Sequence, residues 1–302
     1  MEVVKKTSLT GHQNPIYALE PSQKPGIFFT AGNDKGVVEW SSRELSFIKV
    51  LMPVSSSVYS LHCPDFAPVL AVAERSGKVS LFNFDEQKIT AVFNHHKLPV
   101  FALNSVPHKK ELLAASEDGT VSVVDLLTFN SLYNFKVSSQ TIRCVAISPD
   151  QRLVAFGCKD NMIYIYNIDD YSYVTQLAGH THPVTSLEFS PDGKHLLSGG
   201  RDAKLNIWDC GNFSLKESIV AHMFAVYDIK FHPTLPYFAT SSQDKSIKIW
   251  DATGFKLRKI ISREKGMQSH SHSINKLAWD KESGALISVS DDKNVMVWEI
   301  SF

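Results

Sequence analysis

The chain has 302 residues, of which 21% are charged, and its 31 basic and 31 acidic residues cancel to a net charge of zero. Without a positive excess it is a poor candidate for nonspecific binding to nucleic acid or anionic membranes, because both need a cationic surface. No apolar run reaches the roughly 18 residues of a membrane span, and the N-terminus lacks the apolar core of a signal peptide. We therefore expect a soluble, cytoplasmic protein with no membrane partner.

The cysteines and histidines give no metal or redox pattern. Twelve histidines include the close pairs His95-His96, His180/His182 and His270/His272, but a zinc site needs three or four ligands that converge on one point. The cysteines are too far apart for a CxxC motif, which favours reduced thiols packed among strands; they are Cys63, Cys144, Cys158 and Cys210. No glycine-rich phosphate-binding motif occurs. We expect no metal and no cofactor.

In chain order, the first predicted element is a strand over residues 2–9, which alternate weakly and precede Gly11-His12. This strand occupies the fourth-strand position of a repeat, but no other strands of that repeat precede it in the sequence. At the other end, residues 294–302 read as a third strand with nothing after it. Pairing of the two would remove two exposed strand edges.

The clearest repeat lies at residues 179–209, where three runs alternate apolar and polar residues as half-buried strands do: 183–189, 195–200 and 204–209. A fourth run, at 213–219, completes a four-stranded antiparallel unit. Trp208 recurs 42 residues later as Trp250. In backward steps of 42 the same position holds Tyr166, Val124, Phe82 and Trp40, and the last forward step, to Trp298, is 48. The repeats lie at about 10–52, 53–94, 95–136, 137–178, 179–220, 221–262 and 270–302.

The repeats resemble those of the WD40 family, through the Gly-His starts (Gly11-His12, Gly179-His180), the Trp-Asp ends (Trp208-Asp209, Trp250-Asp251) and an Asp six positions before each Trp. The resemblance covers essentially the whole chain. It implies an all-β fold, a seven-bladed β-propeller of four-stranded antiparallel blades, with the N-terminal strand completing the last blade. A single domain over residues 1–302 is expected.

Four repeats each carry a His, a Ser or Thr, an Asp and a Trp at matching positions, here called the repeat His, hydroxyl, Asp and Trp. A Ser-His-Asp triad at Ser198, His180 and Asp202 is one interpretation, but four triads in one molecule need explaining. The structural alternative is a relay that satisfies a buried indole N–H, which is also what the resemblance implies. In the second to fourth repeats Phe82, Val124 and Tyr166 replace the Trp, and Val72, Ala114 and Phe156 replace the hydroxyl, so no indole is orphaned.

Partner-binding residues are expected where the repeat does not dictate the side chain. In the family the commonest partner site surrounds the central channel. The residues before each repeat Asp are Asn33, Arg75, Glu117, Lys159, Arg201, Gln243 and Asp291. Those after the repeat His add bulk at Lys97, Leu98, His182, Met223, Phe224 and His272. These thirteen residues are called the loop set. Met223 and Phe224 are either an exposed anchor for a partner or local core beneath the loop.

The function expected from this pattern is a non-enzymatic interaction platform that binds a protein or peptide partner on the rim and central-channel face, with a monomer as the default state. One alternative is RNA binding by the arc of Arg75, Lys159 and Arg201. Another is an enzyme at the channel mouth, for which Glu117 and Asp291 are the candidate acid and base. The six extra residues before the last repeat fall within 262–269, in a loop between strands, so the insertion interrupts no strand.

Overall fold

The computed structural model describes residues 1–301. Phe302, the last residue of the strand predicted at 294–302, lies outside the described residues. The chain is all-β, with seven four-stranded antiparallel sheets, and its fold class is the predicted seven-bladed β-propeller. Over residues 1–301 the helical content is one turn of 3-10 helix at Arg263–Lys265. The residues group into two compact units, 1–57 with 222–302 and 58–221.

The first unit contains blades 1, 6 and 7. Their strands are β1 (Glu2–Leu9), β2 (Ile16–Pro21), β3 (Ile27–Gly32), β4 (Gly36–Ser41), β5 (Ser46–Pro53), β22 (Val226–Phe231), β23 (Tyr237–Ser242), β24 (Ile247–Asp251), β25 (Lys256–Ile261), β26 (Ile274–Trp279), β27 (Leu286–Ser290) and β28 (Val295–Ser301). Blade 7 has the order β1-β28-β27-β26. The pairing of β1 with β28 runs from Glu2 opposite Ser301 to Leu9 opposite Val295. The predicted completion of the last blade by the N-terminal strand is therefore confirmed.

The second unit contains blades 2 to 5, each with its four strands in sequence order. The strands are β6 (Val58–His62), β7 (Val69–Glu74), β8 (Val79–Asn83), β9 (Lys88–Phe93), β10 (Val100–Val106), β11 (Glu111–Ser116), β12 (Thr120–Asp125), β13 (Ser131–Lys136), β14 (Ile142–Ile147), β15 (Leu153–Cys158), β16 (Met162–Asn167), β17 (Tyr173–Ala178), β18 (Val184–Phe189), β19 (His195–Gly200), β20 (Lys204–Asp209) and β21 (Leu215–Val220).

Burial differs from strand to strand within a blade. The second strands are buried along almost their whole length, as in β7 and β11, whereas the fourth strands are mostly exposed, as in β13. The expectation of half-buried strands is therefore wrong for the middle of each blade. The reason is that neighbouring sheets cover both faces: Ala155 and Ile163 of blade 4 share one apolar core with Leu187 of blade 5. The fourth strand, at the edge, has no such cover.

Candidate functional site

The predicted relay is present in four blades. In blade 5 the buried Trp208 donates its indole N–H to the Ser198 hydroxyl at 2.8 Å. The same hydroxyl lies 2.8 Å from His180 Nε2, and His180 Nδ1 lies 3.0 Å from Asp202 Oδ1. Equivalent contacts join His12, Thr30, Asp34 and Trp40, then His222, Thr240, Asp244 and Trp250, and finally His270, Ser288, Asp292 and Trp298.

The electrostatics of the relay are those of a structural network. Burial alone would raise the pKa of Asp202, but hydrogen bonds from His180 and from the backbone N–H of Thr181 lower it to about 2. Burial lowers the pKa of His222 and His12, so both imidazoles stay neutral near neutral pH. The Ser198 hydroxyl has no exposed surface and already accepts from an indole. It is therefore not placed to act as a nucleophile on a substrate.

Blades 3 and 4 retain parts of the relay in altered form. In blade 3 the missing hydroxyl of Ala114 is replaced by that of Ser122, which lies directly across the sheet from Ala114 and 3.0 Å from His96 Nε2. In blade 4 the Asp160 carboxylate accepts from Ser138 at 2.6 Å and from Tyr164 at 2.9 Å. The sequence shows Ser138 at the repeat His position, but it did not predict the roles of Ser122 and Tyr164, which lie outside the four repeat positions.

The loop set lies at the strand ends, as the repeat register requires. The backbone N–H of Arg201 donates to the carbonyl of Pro183, the residue before the first strand of its blade, at 2.9 Å. The same bond joins Asn33 to Pro15, Glu117 to Pro99, Lys159 to Thr141, Gln243 to Ala225 and Asp291 to Ser273. The loop before the first strand and the loop after the second therefore meet at one end of these six blades.

Most of the loop set is exposed. Met223 and Phe224 have 76% and 55% of their surface exposed, so the local-core alternative for this pair is wrong and the side chains are available to a partner. The remaining exposed members are Asn33, Arg75, Lys97, Leu98, Lys159, His182, Arg201, Gln243 and His272. Glu117 and Asp291 are half-buried. The Asp291 carboxylate accepts from the Asn275 amide at 2.8 Å, which fixes its orientation.

A second set of residues emerges from the sheet register. In all seven blades the register of the first two strands shifts one residue after the first strand begins and skips the next residue of that strand. Such a β-bulge re-aims the side chain it carries. The bulge set is Tyr17, Tyr59, Phe101, Arg143, Thr185, Tyr227 and Asn275. The spacing of these seven residues along the sequence is regular. The alternation of apolar and polar residues, from which the strands were predicted, does not reveal a bulge.

Three members of the bulge set stack across blades 2, 3 and 4. The Tyr59 and Phe101 rings are 4.9 Å apart between centroids, and the Arg143 guanidinium lies 4.3 Å above the Phe101 ring. Burial, and then the positive charge of Arg201, lower the pKa of Arg143, while Glu117 opposes the shift. The charges of two loop-set residues, Arg201 and Glu117, therefore act on Arg143.

The described part of the chain contains neither a cluster of metal-binding side chains nor a membrane-spanning helix. Among residues 1–301 no three His, Cys, Asp or Glu side chains are grouped so that they could hold a metal ion. Within the same residues no helix has the length and apolar character needed to cross a membrane.

Comparison with known proteins gives one family and several partial relatives. The family model described as "WD domain, G-beta repeat" matches residues 3–41, 87–125, 129–167, 171–209, 213–251 and 262–299. The matched segments leave out residues 42–86, where blade 2 has lost its repeat residues.

Among the relatives, WD repeat-containing protein 90 of Mus musculus is 28% identical over 47% of this chain and 8% of its own length. U3 small nucleolar RNA-associated protein 12 of Saccharomyces cerevisiae is 25% identical over 60% of this chain and 21% of its own length. COMPASS component SWD3 of the same yeast is 28% identical over 59% of this chain and 64% of its own length. The chain thus spans less than two thirds of each of these relatives.

Proposed function

The chain belongs to the WD40 repeat family, and we propose that it is a non-enzymatic interaction platform that binds a protein or peptide partner through its loop set and bulge set. WD40 propellers act generally as protein-interaction scaffolds, and the fold is typically non-catalytic. The name of one relative, COMPASS component SWD3, describes part of a larger assembly.

The Tyr59–Phe101–Arg143 stack is the observation that carries the proposal. Aromatic and arginine side chains provide most of the binding energy in protein interfaces, because they bury a large area at a low cost in conformational entropy. These three are half-buried and held rigid by their mutual stacking. Arg201 and Glu117, whose charges act on Arg143, supply charges of opposite sign for orienting a partner.

Met223 and Phe224 form a separate apolar anchor on blade 6. Their main chain is fixed, since the Met223 N–H donates to Asp244 at 3.0 Å and the Ser242 hydroxyl donates to the Phe224 carbonyl at 3.3 Å. The relay therefore orders the loop while leaving both side chains exposed. An exposed apolar pair on a fixed backbone is suited to insertion into a partner's pocket.

Affinity capture from the native lysate with quantitative mass spectrometry tests this proposal. Phe101→Ala, and separately Met223→Ser with Phe224→Ser, should each reduce capture of a partner, by about 2 kcal/mol at a hot spot. Tyr173→Ala and Leu257→Ser are the controls, since both residues are exposed on fourth strands, at 54% and 42%, away from the loop ends. If folded variants of both surfaces capture every protein as wild type does, the platform assignment is wrong.

RNA is the second candidate ligand, because aromatic stacking beside arginines also suits single-stranded nucleic acid. Glu117 and the zero net charge favour the peptide. Retention on a polyanion column separates the two: salt-sensitive retention that is lost on combined mutation of Arg75, Lys159 and Arg201 would favour RNA. Glu117 and Asp291 are assigned to partner binding and not to catalysis.

The proposal includes a cytoplasmic, monomeric protein that folds as a single domain. A single unfolding transition would support the single domain, and a monomer mass in light scattering would support the monomer. Imaging of a tagged chain tests the location. A nucleolar signal would contradict it, and the name of the relative U3 small nucleolar RNA-associated protein 12 makes that outcome worth testing.

A further inference from the structure

A polar pocket of about 510 Å³ lies in the first unit, apart from the loop set and the bulge set. Three segments form it: the closing strand β1, the strand β28 beside it, and the loop that holds the six extra residues before the last repeat. Its polar walls are the side chains of Lys5, Ser8, Arg263, Gln268, Ser269 and Asn294. The repeat does not require this loop, and its extra residues build one wall of the pocket.

The extra loop has a defined conformation. The Ser262 hydroxyl accepts from the Lys265 N–H and begins the 3-10 turn, and Gly266, at φ 78°, ends it. That left-handed conformation favours glycine. The Arg263 Nε–H then donates to the Ser269 carbonyl at 2.7 Å. This bond ties the two ends of the loop together and holds the guanidinium at the pocket, with its terminal N–H groups still available as donors.

The charges at the pocket are positive and not neutralised. Among the described residues Lys5 and Arg263 form no ion pair, and no carboxylate lines the pocket. The Lys5 ammonium donates to the Gln268 side-chain oxygen at 3.0 Å. Its neighbour Lys6, by contrast, pairs with Glu299 at 2.9 Å. Glu264, the acidic residue of the loop, is exposed and does not line the pocket.

Besides the positive charges, Ser269 gives a second indication of a binding site. The residue is 1% exposed, and its hydroxyl has no hydrogen-bond partner among residues 1–301. A buried hydroxyl without a partner costs free energy, and a bound ligand is one partner that can satisfy it. Here the unpaired hydroxyl belongs to a residue of the pocket wall, beside two cations without counter-charges.

We propose that this pocket binds a phosphate monoester. A phosphate monoester is a dianion with three terminal oxygens, which match one guanidinium, one ammonium and the hydroxyls of Ser8 and Ser269. The phosphate is carried either by a phosphorylated side chain of a partner or by a free phosphate compound. Both sources share the recognised group, and they differ in whether the rest of the partner adds affinity.

Calorimetric titration of the full chain at low salt tests the proposal, with inorganic phosphate and a blocked phosphoserine as probes. Arg263→Gln and Lys5→Gln should each weaken binding about tenfold, since each removes a charge-assisted contact. The matched controls are Lys265→Gln on the same loop and Lys6→Gln on the same strand, which remove a charge outside the pocket and should leave the affinity unchanged. Equal affinity for both probes indicates a free phosphate compound; preference for phosphoserine indicates a partner's side chain.

Ser269→Ala separates binding from loop stability, because the unpaired hydroxyl supports nothing in the free protein. This variant should bind phosphate several-fold more weakly, with no decrease in melting temperature. Absence of binding by either probe would overturn the proposal. So would equal weakening by Lys265→Gln and Arg263→Gln, or an unchanged affinity in Ser269→Ala.

Discussion

Blades 5 and 2 show two ways of building the same four-stranded sheet. Blade 5 holds its buried Trp208 through Ser198, His180 and Asp202. Blade 2 has Phe82 and Val72 at the Trp and hydroxyl positions; both are buried, and the Phe82 ring packs edge-on against Phe84. Both fold, because the loss of donor and acceptor together costs little, whereas loss of one leaves the other unpaired. The relay is therefore one solution to burying an indole, and not a requirement of the blade.

Blade 3 is intermediate and shows what the network needs. His96 keeps its repeat Asp at 2.9 Å, and Ser122 supplies the hydroxyl from the neighbouring strand. Blade 2 has a serine at the same register position, Ser80, opposite Val72. That hydroxyl is buried and has no partner among the described residues, because blade 2 has Val54 where a histidine would reach it. The same side chain is thus bonded in one blade and orphaned in the next.

The largest effect is expected from removing the strand that completes blade 7. Deletion of residues 1–9 leaves the relay of Trp298 intact but exposes the edge of β28 and the core that Leu9 covers. We expect a sharply lower melting temperature and aggregation, because an unpaired edge recruits other chains. An unchanged melt would mean that the relay alone holds the blade. Lys6→Gln, which breaks only the exposed pair with Glu299, is the control.

Acid should weaken blades 5, 6 and 7 through the carboxylates of their relays. The pKa values of Asp202, Asp244 and Asp292 are lowered, against the effect of burial, by their histidine contacts, that of Asp202 to about 2. The stability these carboxylates contribute is complete above the ordinary Asp pKa of 3.8, and it is lost as the pH falls through their lower folded pKa values. Urea unfolding from about pH 5 to about pH 3 measures the slope. Asp202→Asn should flatten it, and Asp85→Asn, at an exposed residue of blade 2, should not.

Trp250→Phe separates the apolar and polar roles of the indole. The phenyl ring keeps most of the burial but leaves the Thr240 hydroxyl without the donor that now lies 2.9 Å away. We expect a loss of about 1–3 kcal/mol in the free energy of unfolding, measured in urea. Phe82→Leu is the comparison in blade 2, where a loss can come only from packing. A stability change near zero in Trp250→Phe would contradict a structural role for the relay.

The smallest effects should have opposite signs at the two matched serines. Ser122→Ala leaves His96 Nε2 without its partner and should destabilise the protein by about 1 kcal/mol or more. Ser80→Ala removes an orphaned hydroxyl and should be neutral or stabilising by up to about 1 kcal/mol. Denaturant midpoints of the two variants, measured together, give the comparison. If both variants lose stability equally, the difference between the two blades is not one of hydrogen bonding.

The sequence predicted the blades because their period is regular, and it predicted the relay because four residue types recur at fixed offsets. It did not predict the role of Ser122, since the hydroxyl moved to the neighbouring strand and only the sheet register shows that the two positions are opposite. The role of Phe101 was missed for a related reason: a bulge, not the alternation, sets its direction. Exposure of Phe224 could not be decided from a loop sequence that is compatible with either state.

The pairing of β1 with β28 joins residues such as Leu9 and Val295. Because these residues are far apart in the sequence, the ribosome synthesises Val295 long after Leu9. Throughout synthesis of the intervening chain β1 has no strand to pair with, and its edge is open to other nascent chains. The charged residues Glu2, Lys5 and Lys6 of this strand protect such an edge, because a charged strand pairs poorly with its own copies. Closure over so long a loop is also slow, so we expect the pairing of β1 with β28 to form late in folding.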